Sequence, residues 1–483
     1  MSKSPDLLLK TICYELDETF NYVLDENKSP YIIEKATTIN REAHSVESDY
    51  FKSFCFRAAL DADKMPSESQ FKKLKEYASA KSFLANKIIP MFHRTGPIKG
   101  GVEIDKGCSE NIRYRVTPNS VEAIKAGSEV AFKRSAAMLP LPDLAEDGDV
   151  EELKEFTTFE LKTFWLFAGL LTYWLAHSKE DSTSFPHLAL IADQGSGKTF
   201  LCKVVIRGLV DPSSYGVQTF PDSKQDFVLA SQNVHVQIYD NVTYLSLSWA
   251  NILCILATGG NLGKRKLYFN SSVVNHKVHG PCVLNGLANF IPSSDLAQRV
   301  MMLELPPLEA KNRRSEREMM AAFDESKPRI FRGMLNLISE IMAVDDVKVI
   351  YKERMLDFST WLAKIEVVRD FTPGILQEAY HDLLVESQVD SVMGDQLAYA
   401  AYQLVTGTNK DSWSGTANEL LHELNTSMNI DCGNTRSKGW PSNAIALSKR
   451  LRTAKAGLLV QGVEVTFTRG KKRIIEIVNL EAY

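Results

Sequence analysis

Residues 186–200 read PHLALIADQGSGKTF, a short apolar run that enters a glycine-bearing turn and leaves it through Gly197, Lys198 and Thr199. Glycines let successive backbone N–H groups curl around an anion, a lysine reaches terminal phosphates, and a hydroxyl ligates magnesium. The order therefore predicts a strand, a phosphate-cradling loop and a helix in immediate succession. A nucleoside triphosphate site follows, with Gln194, Gly195, Ser196, Gly197, Lys198, Thr199 and Phe200 around the phosphates. Ala192 stands where the usual consensus has its first glycine. The bland alternative is a glycine turn in an ordinary αβ unit.

Magnesium needs a carboxylate opposite the loop hydroxyl, on the end of a second strand. Residues 234–239 (VHVQIY) are β-rich with apolar alternation and deliver Asp240, which pairs with Thr199 as the metal set. Asn241 follows; it can orient a water but cannot take its proton, so the base is unassigned, with Asp193 a weak candidate and slow hydrolysis another outcome. A strand-ending turn is the competing reading of Asp240 and Asn241. Further on, GPCVLN is a strand that ends in Asn285, and residues 295–305 (DLAQRVMMLEL) suggest a short helix whose last residue is Arg299 before another apolar strand. Taken alone, Arg299 reads as a cation favoured at a helix C-terminus.

Several motifs in fixed order carry a resemblance: LPLPDL, DQGSGKT, YDN, LATGGNLGKRKLY, VLNGL, DLAQR, GWPSNAIALSKRLR and GVEVTFTR. From about residue 139 onward the chain resembles the AAA+ ATPases of phages, phage satellites and integrative elements, related to superfamily 3 and virus-type primase-helicases. GGVEIDKG and IRYRVTPNSVEAI are similar to the segment that precedes the ATPase in such proteins.

The resemblance implies an α/β fold: a P-loop AAA+ core with a helical lid, an N-terminal α+β accessory domain and a C-terminal winged helix. It implies ATP and Mg2+, a sensor role for Asn285 at the γ-phosphate, and an arginine finger at Arg299 reaching a neighbour's site in a ring, expected to be a hexamer. It also implies a hairpin in the ring channel that grips single-stranded DNA. Lys264, Arg265 and Lys266, beside Tyr268 and Phe269, suit that tip, with Lys277 a strand away. A basic surface turn is the alternative there. No fused primase-polymerase is expected, since the segment before the loop shows no paired catalytic carboxylates; a separate primase or polymerase partner is.

The net charge of −4 conceals a basic end, where Glu464 is the only acid between residues 436 and 473. Thr416 can cap one helix through Leu424, and Ser442 a second through Lys455. Residues 463–467 and 473–478 alternate as a two-stranded wing, the outline of a winged helix-turn-helix on duplex DNA. Lys449, Arg450 and Arg452 are then base or backbone candidates, and Lys471, Lys472 and Arg473 phosphate candidates. A solvated basic face is the plainer reading.

Punctuation suggests an accessory domain over 1–138, a proline-rich then acidic linker over 139–155, the nucleotide core over 156–307, a helical lid and connector over 308–406 and the winged domain over 407–483. The seven cysteines form no CxxC pair, there is no signal-peptide layout, and the apolar run 164–176 is shorter than the ~20 residues a span needs. No membrane association and a reducing cytoplasm are expected. The functional expectation is an ATP-driven DNA helicase or translocase, replicative or initiating, of a mobile element. Its competitor is an ATP-gated DNA-binding switch (initiator, repressor or antiphage interference factor) that does not unwind.

Overall fold

The computed structural model describes residues 5–35, 40–60, 65–193, 195–265, 273–307, 314–407, 410–427, 440–468 and 473–482. Its centre is a parallel five-stranded sheet in the spatial order Gln218–Thr219, Gln237–Asp240, Cys282–Gly286, His187–Ile191, Val300–Glu304. The chain enters the sheet at His187–Ile191, which lies beside the fourth and fifth of these strands in chain order. The turn that leaves it therefore opens at the carboxyl ends of the strands, where such sheets bind ligands. The strands His187–Ile191 and Cys282–Gly286 are buried along nearly their whole length, whereas the edge strand Gln218–Thr219 is not. The helix Leu161–Ala176 is buried along residues 164–176, against the helices Glu316–Ala343, Leu356–Val368 and Ile375–Met393. Among the described residues no helix is long and apolar enough to cross a membrane.

Upstream lie two smaller sheets. The helices Pro5–Thr19, Asp49–Leu60 and Glu68–Ala85 pack with a five-stranded sheet that begins Phe20–Leu24 and Pro30–Glu34. The helix Glu68–Ala85 starts at a reciprocal capping box between Ser67 and Gln70 and ends on left-handed Asn86, as its sequence pattern requires. A four-stranded antiparallel meander over residues 95–124 follows. Its Val102, Ile104, Tyr114 and Val116 do not form a separate core; they share one with Trp165, Phe331 and Leu335 of the central helices. The expected boundary at residue 138 thus falls inside a continuous core.

The 139–148 stretch, expected as a linker, is a packed strap. Leu141 is buried and the Pro142 carbonyl accepts the Tyr114 hydroxyl at 2.6 Å. Two glycines permit the strap to cross the helix Glu316–Ala343. A Cβ on Gly148 would lie 2.0 Å from the Arg329 carbonyl oxygen, and one on Gly333 2.2 Å from the Val150 nitrogen.

The C-terminal unit runs Gln396–Thr406, Ser412–Gly415, Ala417–Ser427, Ala444–Val460, Val463–Thr468, Ile474–Asn479 as helix, strand, two helices and two strands. Its core joins Leu397, Ala401 and Leu404 to Leu447, Leu451, Val465 and Ile477, so the first helix belongs here and not to the connector. The strand Ser412–Gly415 makes the expected two-stranded wing a three-stranded sheet. Thr416 accepts from the Glu419 N–H as expected, whereas the second helix is capped by Asn443, one residue after Ser442, and continues to Val460.

A buried ionic knot joins the upstream sheets to the core. Arg94, fully buried, donates to Asp211 at 3.1 Å and to the carbonyls of Asp105, Lys106, Leu139 and Pro212. Asp211 also accepts from the His235 and Val236 N–H groups and from Arg207. Arg94 and Arg207 hold the Asp211 carboxyl below the ordinary carboxylate range against the opposing effect of burial. Replacing Asp211 by Ala strands two buried guanidinium groups, and we expect a loss of about 3–5 kcal/mol of stability by denaturant titration; a variant as stable as the parent would sink this account.

His187 and His235 are fully buried, each bonded through Nε2 to a carbonyl (Leu253 at 2.9 Å, Trp174 at 2.7 Å), and burial pushes both down to about 4. The unfolded chain takes up these protons near the ordinary value of about 6.5, so protonation favours unfolding between the two values. Stability should hold above pH 6.5 and fall by roughly 3 kcal/mol per histidine as pH drops toward 4. Thermal melts across that window test this, and an unchanged midpoint from pH 7 to 4.5 would refute it.

Candidate nucleotide and nucleic-acid sites

The turn after His187–Ile191 reverses through Gly195 and Gly197, at φ +79° and +86°, where a side chain would be strained. Lys198 opens the following helix, and the segment Leu201–Ile206 is wound with π-type spacing before α spacing resumes at Arg207–Leu209. The Lys198 ammonium is folded onto the Ala192 and Asp193 carbonyls, and burial lowers its pKa against the opposing pull of Asp240 and Asp193. Thr199 Oγ1 donates to Asp240 Oδ2 at 3.3 Å, so two hard oxygen donors from separate elements meet, a set that fits magnesium. Asp240 Oδ1 accepts the Asn241 N–H at 2.8 Å, with Asn241 left-handed at φ +57°. Asn285, buried on the adjacent strand, donates weakly to Cys202 Sγ at 3.9 Å and leaves its Oδ1 without a partner.

These residues border a cavity of about 770 Å³. Gly195, Ser196, Gly197, Lys198, Thr199, Phe200, Asp240 and Asn241 line it; Asn285 is not among the lining residues and is buried against Cys202. Gln194 is outside the described residues. The remaining wall was not legible in the sequence: Phe156, Thr157 and Thr158 come from the end of the strap, Leu305 from beyond the last core strand, and Met319 from the helix Glu316–Ala343. Glu155 and Arg314 pair at 2.9 and 3.0 Å beside them. No motif marks these side chains, because packing alone brings the strap and the long helix to the sheet.

Arg299 sits in the turn after the four-residue helix Ser294–Ala297, not at the helix end as expected. It is 6 % exposed, and its Nη1 binds the Asp295 carboxylate at 2.8 Å and the Asp295 carbonyl at 2.6 Å. Asp295 is shared with the half-exposed Arg354 at 3.0 Å. In a single subunit Arg299 is thus a buried, paired arginine and is not presented to a neighbour.

The strands Gly260–Arg265 and Val273–Val278 pair as an antiparallel hairpin that carries Lys264 and Arg265; Lys266 lies outside the described residues. Lys277 is exposed and donates to the Glu180 carbonyl at 3.2 Å. On the helix Ala444–Val460, Lys449 and Arg452 are exposed, with Arg452 lying 4.4 Å from the centre of the Phe467 ring. Arg450 does not join them: it is turned inward to Asp395 at 2.6 Å. Arg473 is exposed at the start of the last strand, and Lys471 and Lys472 fall outside the described residues. No group of three or more His, Cys, Asp or Glu able to hold a metal occurs among the described residues.

Two family models match the chain. The replication protein of actinomycete integrative conjugative elements matches residues 154–386, and the C-terminal domain of the same RepA family matches residues 397–482. The second match begins where the helix Gln396–Thr406 begins, in agreement with the packing. These matches support a replication protein of a mobile element. No curated protein matches the chain. Among solved structures, the A-form apo structure of the NrS-1 C-terminal region is 13% identical with a TM-score of 0.38, covering 99% of both chains. A second A-form apo structure of that region, residues 305–718, is 14% identical with a TM-score of 0.37, covering 99% of this chain and 100% of the other.

Because Arg299 is buried and paired, its removal should act on stability before it acts on assembly. We expect Arg299→Ala to lower stability by about 1–3 kcal/mol and Arg354→Ala, half in water, by less than about 1 kcal/mol. Parallel denaturant titrations of the two variants compare them, and equal losses would contradict the assignment.

Proposed function

We propose that the protein is an ATP-dependent DNA helicase or translocase that works as a ring, a hexamer in the simplest case, in the replication of a mobile element. The observation that carries the reading is the convergence of Lys198, Thr199 and Asp240 at the carboxyl ends of parallel strands around one large cavity. The nucleotide core is then a P-loop AAA+ domain, with the helix Glu316–Ala343 as part of its lid. Backbone N–H groups of 195–199 cradle the phosphates and Lys198 exchanges its carbonyl partners for phosphate oxygens. Thr199 and Asp240 would hold Mg2+, which would supply charge neutralisation to the phosphates. Asn285, whose Nδ2 donates only weakly to Cys202, would turn that donor toward the γ-phosphate. Arg299 reaches a neighbouring site only once its Asp295 pair opens, which makes assembly a precondition for its use.

DNA enters the proposal in two places. The hairpin with Lys264, Arg265 and Lys266, flanked by Lys277, would grip a single strand in the channel. The C-terminal unit, in the helix and strand order of a winged helix, would present Lys449 and Arg452 to duplex DNA and Lys471, Lys472 and Arg473 to its phosphates. Arg450 is proposed instead as a brace to Asp395. A primase or polymerase would be a separate partner. The second reading, an ATP-gated switch, draws on Asn241: the residue after Asp240 is an amide that can orient a water but cannot take its proton, which suits the site to slow turnover.

ATP hydrolysis with and without single-stranded DNA, alongside unwinding of a forked duplex, separates the two. We expect stimulated turnover with strand separation, both reduced at least about 100-fold by Lys198→Ala. Nucleotide binding with neither stimulation nor unwinding would replace the motor by the switch.

A further inference from the structure

The helix Ala444–Val460 has three faces. Leu447, Leu451 and Leu458 are buried in the core of the C-terminal unit. Arg450 and Ala454 lie toward Asp395 and residues 292–294 across a small gap. The third face is open to water and carries Ile445, Lys449 and Arg452, at the i, i+4, i+7 spacing that lines side chains up along a helix. The helix holds the cations Lys449, Arg450, Arg452 and Lys455 and no acid. Ile445 is 83 % exposed. A single exposed apolar residue is ordinary on a protein surface, but the setting of this one is not. It is the second residue of the helix, just after the Asn443 cap, and it heads a row of cations.

An occupant that complements this face is anionic opposite Lys449 and Arg452 and apolar opposite the head of the helix. The major groove of duplex DNA offers both: phosphates along its walls and, among the base edges on its floor, the C5 methyl of thymine. A recognition helix docked in that groove meets base edges with its first residues, which is where Ile445 stands. Arg452 is drawn aside over the Phe467 ring, toward the strand Val463–Thr468, a position that suits the groove wall. Isoleucine has no donor or acceptor for the other edges that bases show in the major groove, and covering one of those would leave its polar groups unpaired. RNA fails on two counts, since its A-form major groove is too deep and narrow for side chains to read and uracil lacks the methyl.

We infer that Ile445 reads a thymine methyl, so that the chain selects duplex DNA sites with a thymine under the head of this helix. The inference rests on the duplex-binding reading of the C-terminal unit above. Duplexes selected by the full chain from a random library supply the probe. Each thymine is then replaced in turn by deoxyuridine, which removes one methyl and nothing else, and affinities are read by fluorescence anisotropy. Removing the methyl of one thymine should weaken binding by about 3- to 5-fold, the effect of about one buried methyl group. Ile445→Ala should bind the thymine and deoxyuridine duplexes alike, close to the parent's affinity for the deoxyuridine duplex, which also certifies its fold. Ile445→Val should restore most of the difference, and Lys449→Ala should weaken both duplexes while keeping their ratio. If no thymine responds to loss of its methyl, or if Ile445→Ala keeps the parent's ratio, the inference is overturned. Unchanged DNA affinity of Ile445→Ala with a lower sedimenting mass would assign Ile445 to a contact between copies and overturn it equally. Failure of the parent to bind any duplex would overturn the duplex-binding reading itself, and the inference with it.

Discussion

One carboxylate, that of Asp211, ties together the elements that bring Thr199 to Asp240, where the nucleotide site is proposed. It closes the segment that starts at Lys198, because Arg207 at the end of that helix binds it. It also anchors the approach to the acidic strand, since it accepts the N–H groups of His235 and Val236 just before Gln237–Asp240. The 3.3 Å contact between Thr199 and Asp240 is the far end of that same bracket. Arg94 then adds the upstream sheets to it. Burying these charges carries a desolvation cost of several kcal/mol per ion, so the arrangement holds only because Asp211 and Arg94 are surrounded by partners. Arg94 adopts φ +67°, a conformation that a non-glycine residue keeps only when its surroundings over-determine it, and its backbone and side chain together meet that condition.

The knot also explains why the upstream segment is not a separable appendage. Its meander shares a core with the helix Glu316–Ala343, and its strap ends in residues 155–158 at the cavity. The strap, with the short helix Val150–Phe156 that follows it, thus runs from the accessory sheets to the cavity. The helix that receives the strap contributes Met319 to the same wall, so the cavity lies where three parts of the chain meet and not within any one of them.

Legibility in the sequence followed the range of the interactions. Features set by neighbours in the chain were readable: the glycine turn, the strand ending at Asp240, the Thr416 cap and the wing strands, read as 463–467 and 473–478 and found paired over 463–468 and 474–479. Features set by tertiary packing were not. The helix Gln396–Thr406 looks like a continuation of the connector because its amphipathic pattern does not say which core receives its apolar face. Arg450 looks like a member of the basic cluster because Asp395 is 55 residues away. The π-wound segment Leu201–Ile206 has no signature in LCKVVI, and Ser442 and Asn443 are both good caps, so only backbone geometry chooses between them.

The two faces of the helix Ala444–Val460 bear on how the C-terminal unit and the core act together. Lys449 and Arg452 point to water, while Thr453 accepts the Ser294 hydroxyl at 3.2 Å and Ala454 lies with Pro292 and Ser293 across a small gap. Ser294 opens the short helix that carries Asp295, the carboxylate shared by Arg299 and Arg354. Gln298, one residue before Arg299, is bonded to Gln388 on the connector helix that also packs against Ala444–Val460. The exposed basic face and the buried arginine are therefore separated by packed helices. The helix that carries Lys449 and Arg452 thus reaches the element that keeps Arg299 paired through packed side chains.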